Sequence, residues 1–430
     1  MATETSRAQT DLPPAATAPV FSRLLPPTSK RAFGDHIAWY GDLPAAGAEL
    51  LAEVERSGLR GKGGARFPTA TKLSAVASRR RAIVVANGTE GEPASAKDLV
   101  LMSQAPHLVL DGAVLAAEIV GATEVIFCIK RGAGVQSVLE RALAERSAYD
   151  YDKVPIRIVG APNRYVSGEE TALVSWLNGG DAKPMFVPPR PFERGVAGRP
   201  TLVQNVETLA DLGLIGRFGS EWFRAAGTRD DPGTTLVTLS GAVEKPGVCE
   251  IPLGSSLGDV LRLAGADCAE LSGVLVGGYF GAWLPGSEAA DVRLGVEDMR
   301  RAGGGLGAGI VVAMPKTGVC ALAELARATR WLADQNAGQC GPCVNGLDSI
   351  AGSIAALAAG VQSKQAETDL ARWLSMMEGR GACKHPDGVT RFVTSGLRVF
   401  SGEIQKHRRY GPCRESGPHI LPTPPTGGWR

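Results

Sequence analysis

No sign of charge dominates this chain: 46 lysines and arginines face 44 aspartates and glutamates, for a net charge of +2. There is no summed basic field to hold nucleic acid or an anionic lipid surface, so neither is expected as a partner. Cysteine is scarce as well. Eight in 430 residues, unevenly spaced apart from one C-x-x-C pair, are too few for a disulfide scaffold. That usage predicts a reduced, cytoplasmic protein, at the membrane only through a partner complex. Long hydrophobic runs are missing. Residues 1–30 lack the uninterrupted apolar stretch of a secretory signal, and none is expected. The most apolar run, LVLDGAVLAAEIVGATEVIF at 108–127, contains Asp111, Glu118 and Glu124. Three carboxylates mark it as a buried helix and strand, not a direct membrane span.

Glycine is in excess, 55 of 430 residues, about twice the usual share. It clusters in short loops, where backbone can closely approach a bound group. The length predicts two to four domains. Residues 1–33 read as a Pro-rich, disordered N-terminus and 411–430 as an extended tail. Over 34–235, AIVVAN (82–87), EVIFCIK (124–130) and VPIRIVG (154–160) alternate with helical patterns, which predicts a Rossmann-like α/β layered sheet. Over 236–312, strand, turn, strand, helix and strand follow closely, as in a small β-grasp-like α+β module. From 313 to 410 the period is that of a helical bundle, with the C-x-x-C at the junction of its first two helices.

Four segments carry the chemistry. The first is GLRGKGGARFPT at 58–69 with Lys72 just beyond; dense glycines expose backbone N–H groups that cradle phosphate, and Arg60 and Lys62 add positive charge. A flexible surface loop is the alternative. The second is NGTEGEP at 87–93, directly after a strand, where open α/β sheets bind ligands. Asn87 both donates and accepts, as the edge of a flavin ring requires; an ordinary acidic turn reads the same. The third is YVSGEETAL at 165–173, in which the Glu169 and Glu170 pair opens a helix and serves as a cap or a site. The fourth, GRPTLVQNVET at 198–208, reads as a Pro-Thr turn with a Gln-Asn pair, Thr201 being a candidate helix N-cap.

In order and spacing these segments resemble the flavoprotein F subunit of bacterial NADH-quinone oxidoreductase and its hydrogenase and formate dehydrogenase relatives, over residues 50–405. The resemblance implies FMN held by Gly61, Gly63, Gly64, Lys72, Asn87, Glu90, Gly168, Glu169, Glu170, Asn205 and Thr208. It implies NADH or NADPH beside Phe67, Lys72, Glu92 and Tyr165, with Glu92, Tyr165 and Glu170 at the reacting end. It also implies an SLBB β-grasp domain, and an iron–sulfur helical bundle whose metal ligands are Cys340, Cys343 and Cys383. The chemistry agrees: a nicotinamide gives up two electrons as hydride, iron–sulfur centres take one at a time, and a flavin does both. The electrons would leave to a protein acceptor: a ferredoxin, a thioredoxin-like [2Fe–2S] subunit, or a larger redox complex. A repurposed subunit without nucleotide oxidation and a ferredoxin-fed flavin relay are the alternatives.

The chain departs from the family at several positions. The family's Ser-Cys-Gly-x-Cys-x-Pro-Cys becomes NAGQCGPC at 336–343, with Ala337 at the first ligand position; Cys383 follows Cys343 by 40 residues, as a fourth ligand should. Three thiolates leave a [4Fe–4S] cube with a foreign or missing ligand, a three-iron cluster, or none. Cys320, Cys413, Asp334 and His385 are candidate replacements, and Cys128, Cys249 and Cys268 read as core. Thr89 stands where the family has Asp, which predicts one polar flavin contact fewer. Arg66 and Arg190, if both faced the site, would stack on adenine and pair with a 2′-phosphate, giving a preference for NADPH. A gap-free alignment also puts Ala75 and Val187 on family site positions, whereas a four-residue shift brings in Lys183 and Phe186.

Overall fold

The computed structural model describes residues 22–47, 49–79, 81–361, 364–413 and 417–430. Three short helices, α1 (Phe33–Tyr40), α2 (Leu50–Ser57) and α3 (Thr69–Ala77), precede a parallel sheet of β1 (Ala82–Gly88), β2 (Ala122–Lys130), β3 (Ile156–Ala161) and β4 (Thr201–Asn205). Its order is β3-β2-β1-β4. The β-branched runs of β1 and β2 are covered on both faces, so they read as continuous apolar stretches without alternation. The connections are α4 (Lys97–Gln104), α5 (Pro106–Val120), α6 (Val135–Ser147) and α7 (Glu170–Leu177), and α8 (Val206–Arg224) leaves β4. The strand order reverses between β1 and β4, the switch point at which such sheets open a crevice. The Thr201 segment, expected as a turn, is therefore a strand. Leu202 pairs with Val84 and Asn205 with Asn87, and the helix cap that Thr201 was expected to supply comes from Asn205, whose side chain accepts the Glu207 N–H.

Asp111, in the apolar run, is buried on α5 and bound by His36 at 2.7 Å, Arg146 at 2.7 Å and Arg217 at 2.6 Å. Among the described residues no single helix is long and apolar enough to cross a membrane; α4 and α5 together reach the required composition but meet at a 98° bend. Where α5 crosses α8 the backbones touch: a Cβ on Gly112 would lie 1.7 Å from the Leu209 carbonyl oxygen.

The second sheet, order β6-β5-β9-β7-β8, comprises β5 (Thr234–Gly241), β6 (Gly247–Pro252), β7 (Leu271–Val276), β8 (Ala282–Pro285) and β9 (Ile310–Pro315), with α9 (Leu257–Leu263), α10 (Gly286–Ala289) and α11 (Val296–Arg301). The boundaries expected at 235/236 and 312/313 each cut a strand, because β5 and β9 pair with one another at the sheet centre. The helical part comprises α12 (Ala321–Asp334), α13 (Leu347–Ala358), α14 (Lys364–Met377), α15 (His385–Val399) and α16 (Ser401–Tyr410).

Both terminal segments are more tightly held than their composition suggests. Residues 1–21 lie outside the described residues, but Leu24 and Leu25 are buried. The Glu250 carboxylate accepts the N–H groups of Arg23, Leu24 and Leu25 at 3.0, 2.8 and 3.1 Å. The tail is extended yet anchored: Glu324 accepts the Ile420 and Leu421 N–H groups, Tyr279 donates to the Pro422 carbonyl, and Trp331 donates to that of Pro424.

Candidate functional site

A cleft of about 310 Å³ opens at the switch point. Asn87 is the penultimate residue of β1, Val203, Gln204 and Asn205 end β4, and Thr208 lies in the first turn of α8. The opposite wall is Gly61, Gly63, Ala65, Arg66 and Phe67, with Lys72 from α3 and Gly168, Glu169 and Glu170 from the entry to α7. The glycine loop is closed on itself: Gly61 N–H donates to the Phe67 carbonyl and Thr69 N–H to that of Leu59, both at 2.9 Å. A Cβ on Gly63 would come 3.2 Å from that of Asn205. Gly64 does not line the cleft; its φ of +123° turns the loop, a conformation side chains resist.

The polar groups hold each other in place. Lys72 Nζ donates to Glu170 at 2.5 Å and to the Val203 carbonyl at 2.7 Å. Asn87 donates to the Gly168 carbonyl at 2.8 Å, while its oxygen accepts from Thr89 Oγ1 at 2.7 Å. Thr89 therefore orients Asn87, and a Cβ on Gly168 would sit 2.4 Å from the threonine oxygen. Glu169 caps α7, accepting the N–H groups of Thr171 at 2.9 Å and Ala172 at 3.0 Å. Burial pushes its carboxyl above the ordinary range. Phe67 is 52% exposed at the cleft, an open aromatic face.

Several expected residues act elsewhere. The Glu90 carboxylate is outside the cleft, accepting from Ser95 Oγ and from the N–H groups of Asp98 and Leu99 at the start of α4. Lys62 is buried, donating to the Thr234 carbonyl at 2.6 Å, so its charge serves the junction with the second sheet. Glu92 and Tyr165 lie behind the lining: Tyr165 donates to Glu92 Oε2 at 2.9 Å, and the Tyr279 N–H reaches the same oxygen at 2.8 Å. Tyr165 meets Trp331 edge-on, which draws it into the junction with the helices. The Arg66 guanidinium faces Thr235 and Arg190 is exposed outside the lining, so the arginine pair expected to favour NADPH is not assembled. Val203, Gln204 and Ala65 line the cleft; they lie inside two of the sequence motifs but are not among the expected site residues, and recognising β4 as a strand is the signal that finds the first two.

Burial pushes the Glu92 carboxyl from 4.5 up to about 7, against the hydrogen bonds that favour its anion. A carboxyl raised in the folded state stabilises the fold below its ordinary value, and that contribution is lost as pH rises through 7. From about pH 5 to pH 8 the wild-type chain should lose on the order of 2–3 kcal/mol that a Glu92→Gln chain does not. Urea unfolding of both proteins at the two pH values measures this. Equal pH slopes would contradict it.

The cysteine segment follows α12. Cys340 and Cys343 lie between α12 and α13, and Cys383 lies just before α15; burial, and then Cys340 and Cys383, raise the Cys343 thiol. Burial pushes the Cys383 thiol up to about 11. Ala337 stands where the family's motif has its first cysteine. Glu169 on the cleft wall is close enough for its charge to act on Cys383. The loop that carries Glu169 is tied to the cysteine segment. Arg164 donates to the Asp334 carbonyl at 3.1 Å, and the Tyr165 N–H donates to Gln335 Oε1 at 3.1 Å.

Among the four candidate replacement ligands, Asp334 pairs with Arg330 at 2.8 Å. Cys320 caps the start of α12, a helix of 14 residues and so ~21 Å long, with Cys413 beside it; neither reaches Cys343 at the other end. His385 is buried near the segment with Nε2 on the Leu332 carbonyl at 2.9 Å and Nδ1 unpartnered.

Residues 54–213 match the family described as the Nuo51 FMN-binding domain, and residues 323–407 that described as the NADH-ubiquinone oxidoreductase-F iron-sulfur binding region. The F subunit of NADH-quinone oxidoreductase from Mycobacterium tuberculosis is 33% identical over 393 residues, 85% of this chain and 86% of its own. The second such F subunit of Rhizobium meliloti is 33% identical over 382 residues, 84% and 88% of the two chains. Among solved structures, an NAD+-reducing [NiFe]-hydrogenase in its H2-reduced state superposes with a TM-score of 0.75 at 28% identity, covering 91% of this chain and 68% of that one.

Proposed function

The chain belongs to the family of NADH-quinone oxidoreductase F subunits, and from that premise we propose that it is a flavoprotein dehydrogenase taking hydride from NADH and sending single electrons through an iron–sulfur cluster to a protein acceptor. The observation that carries this reading is that the loop bearing Glu169 of the cleft wall is hydrogen-bonded to the segment leading into the cysteines, through Arg164 to the Asp334 carbonyl and the Tyr165 N–H to Gln335 Oε1.

The cleft fits FMN. Gly61 and Gly63 expose backbone where a side chain would fill the space, as Gly63 does against Asn205. Asn205 and Thr208 sit at the N-terminus of α8, a position that favours a phosphate. Lys72, Asn87, Gly168, Glu169 and Glu170 would hold the rest of the group, with Glu90 and Gly64 shaping the loops from behind. Bound there, FMN accepts an electron pair and releases electrons singly. Phe67 offers its exposed face to the nicotinamide nucleotide. The Lys72 ammonium, already paired with Glu170, keeps that carboxylate fixed at the reacting end. Glu92 and Tyr165 position the loop 164–169 and are not catalytic residues in this reading. Cys340, Cys343 and Cys383 would ligate the cluster, whose fourth position has no cysteine in this chain.

The relatives are named as a subunit of a quinone oxidoreductase and as a hydrogenase, which supports a place in a redox complex. The acceptor proposed is a ferredoxin or a [2Fe–2S] subunit of such a complex, and any contact with a membrane would come through it.

Anaerobically purified protein loaded with FMN should lose its flavin absorption bands when NADH is added. Bands that persist with both NADH and NADPH, while dithionite bleaches them, would refute nucleotide oxidation.

A further inference from the structure

Two cysteines that the cluster does not use stand together with a histidine and a glutamate. Cys320 Sγ lies 3.5 Å and Cys413 Sγ 3.1 Å from His407 Nε2. Glu403 Oε1 is 3.9 Å from the same nitrogen and 3.8 Å from Cys413 Sγ. One donor atom from each of the four residues lies within 4.8 Å of the other three. Glu403 and His407 are four apart on α16 and so share a face. Gly411, with φ +81°, then turns the chain back so that Cys413 sits over the imidazole.

The histidine is set up as a ligand. His407 Nδ1 lies 2.8 Å from the Ala358 carbonyl. That contact requires a hydrogen on Nδ1, which leaves Nε2 as an acceptor facing the two sulfurs, the carboxylate and, at 3.4 Å, the Cys413 N–H. A backbone carbonyl that accepts from one ring nitrogen in this way is the usual outer partner of a histidine whose other nitrogen binds metal. His407 and Cys320 are buried, while Cys413 is exposed and leaves an entry path.

We propose that Cys320, Glu403, His407 and Cys413 bind a zinc ion. Two thiolates, one imidazole and one carboxylate make the closed four-coordinate set of a structural site. Binding replaces two S–H bonds by two Zn–S bonds and releases two protons, with no change of oxidation state. The ion would fasten the point at which the tail leaves α16. Beyond it the tail runs over α12, and the Trp429 carbonyl accepts the Ala182 N–H while Arg430 pairs with Asp181 at 2.8 Å. The tail thus ties the helices to the part of the chain that carries the cleft. This site is separate from Cys340, Cys343 and Cys383, which lie at the opposite end of α12.

The test is metal analysis and zinc-edge X-ray absorption on the full chain, purified anaerobically, equilibrated with a slight excess of Zn²⁺ and desalted. One zinc per chain is expected beyond the iron, with sulfur at about 2.3 Å and nitrogen or oxygen at about 2.0–2.2 Å. Cys413→Ser, at an exposed position past the last helix, should lower zinc retention by on the order of tenfold or more while iron and FMN content stay unchanged. Glu403→Gln should weaken it less. Cys340→Ser should do the reverse, costing iron and sparing zinc. Removing zinc by chelation should expose the chain after Tyr410 to proteolysis. The proposal falls if the equilibrated wild-type chain retains no zinc, if zinc leaves with Cys340→Ser and not with Cys413→Ser, or if Cys320 and Cys413 are joined by a disulfide in the fresh protein.

Discussion

Cys383→Ser should strip the chain of its iron and end electron delivery to a ferredoxin, while leaving reduction of the flavin by NADH intact. A family member with four thiolates keeps three after one loss. Here Ala337 has already removed one, and the substitution leaves only the Cys340 and Cys343 pair. A hydroxyl is a far poorer iron ligand than a thiolate. Flavin reduction should survive because Cys383 does not line the cleft. Three measurements separate the steps: iron content, flavin bleaching by NADH, and ferredoxin reduction. Wild-type rates of ferredoxin reduction in an iron-free variant would show that electrons leave by another route.

The largest stability loss should follow Lys97→Met. Lys97 is buried beneath the cleft, with Nζ 2.5 Å from Asp98 and 2.8 Å from Glu207. Burial raises the Asp98 carboxyl strongly, while Lys97 and Lys62 hold Glu207 below its ordinary value. Without the ammonium, two carboxylates remain in a site with no water to solvate them, at a cost of about 3–5 kcal/mol. Both also hold structure. Glu207 accepts from Thr235 Oγ1 and the Leu236 N–H, each at 2.9 Å, joining α8 to the second sheet. Asp98 accepts from Asn205 Nδ2 at 2.7 Å, fixing a residue of the cleft. FMN affinity should therefore fall together with stability. The loss should be larger at pH 8 than at pH 5, since carboxyls raised in the folded state are protonated there at lower pH and relieve the repulsion. Urea unfolding and flavin fluorescence titration read the two effects; a stability change under ~1 kcal/mol would mean that the pair is solvated.

Local pattern is enough to reveal a good part of this molecule. The apolar runs of β1 and β2 declare themselves because strands covered on both faces need an unbroken stretch of β-branched residues. Most of the cleft is legible in the same way. Gly61, Gly63, Asn87, Gly168 and Glu169 stand in segments whose glycine density or position after a strand is unusual.

The remainder is settled by packing, for reasons of partnership. Thr201–Asn205 is five residues behind a proline, too short for periodicity to mark, and becomes a strand only because β1 offers its open edge. Glu90 and Glu92 stand two apart in one motif. One caps α4 and the other is drawn to Tyr165 and Tyr279, and no local signal separates them. Cys320, His407 and Cys413 look like scattered residues until α12 and α16 pack side by side. A sequence states which groups a chain can offer. Which of them meet, and which are left to bind something else, depends on contacts between positions far apart along the chain, as Cys320 and Cys413 are.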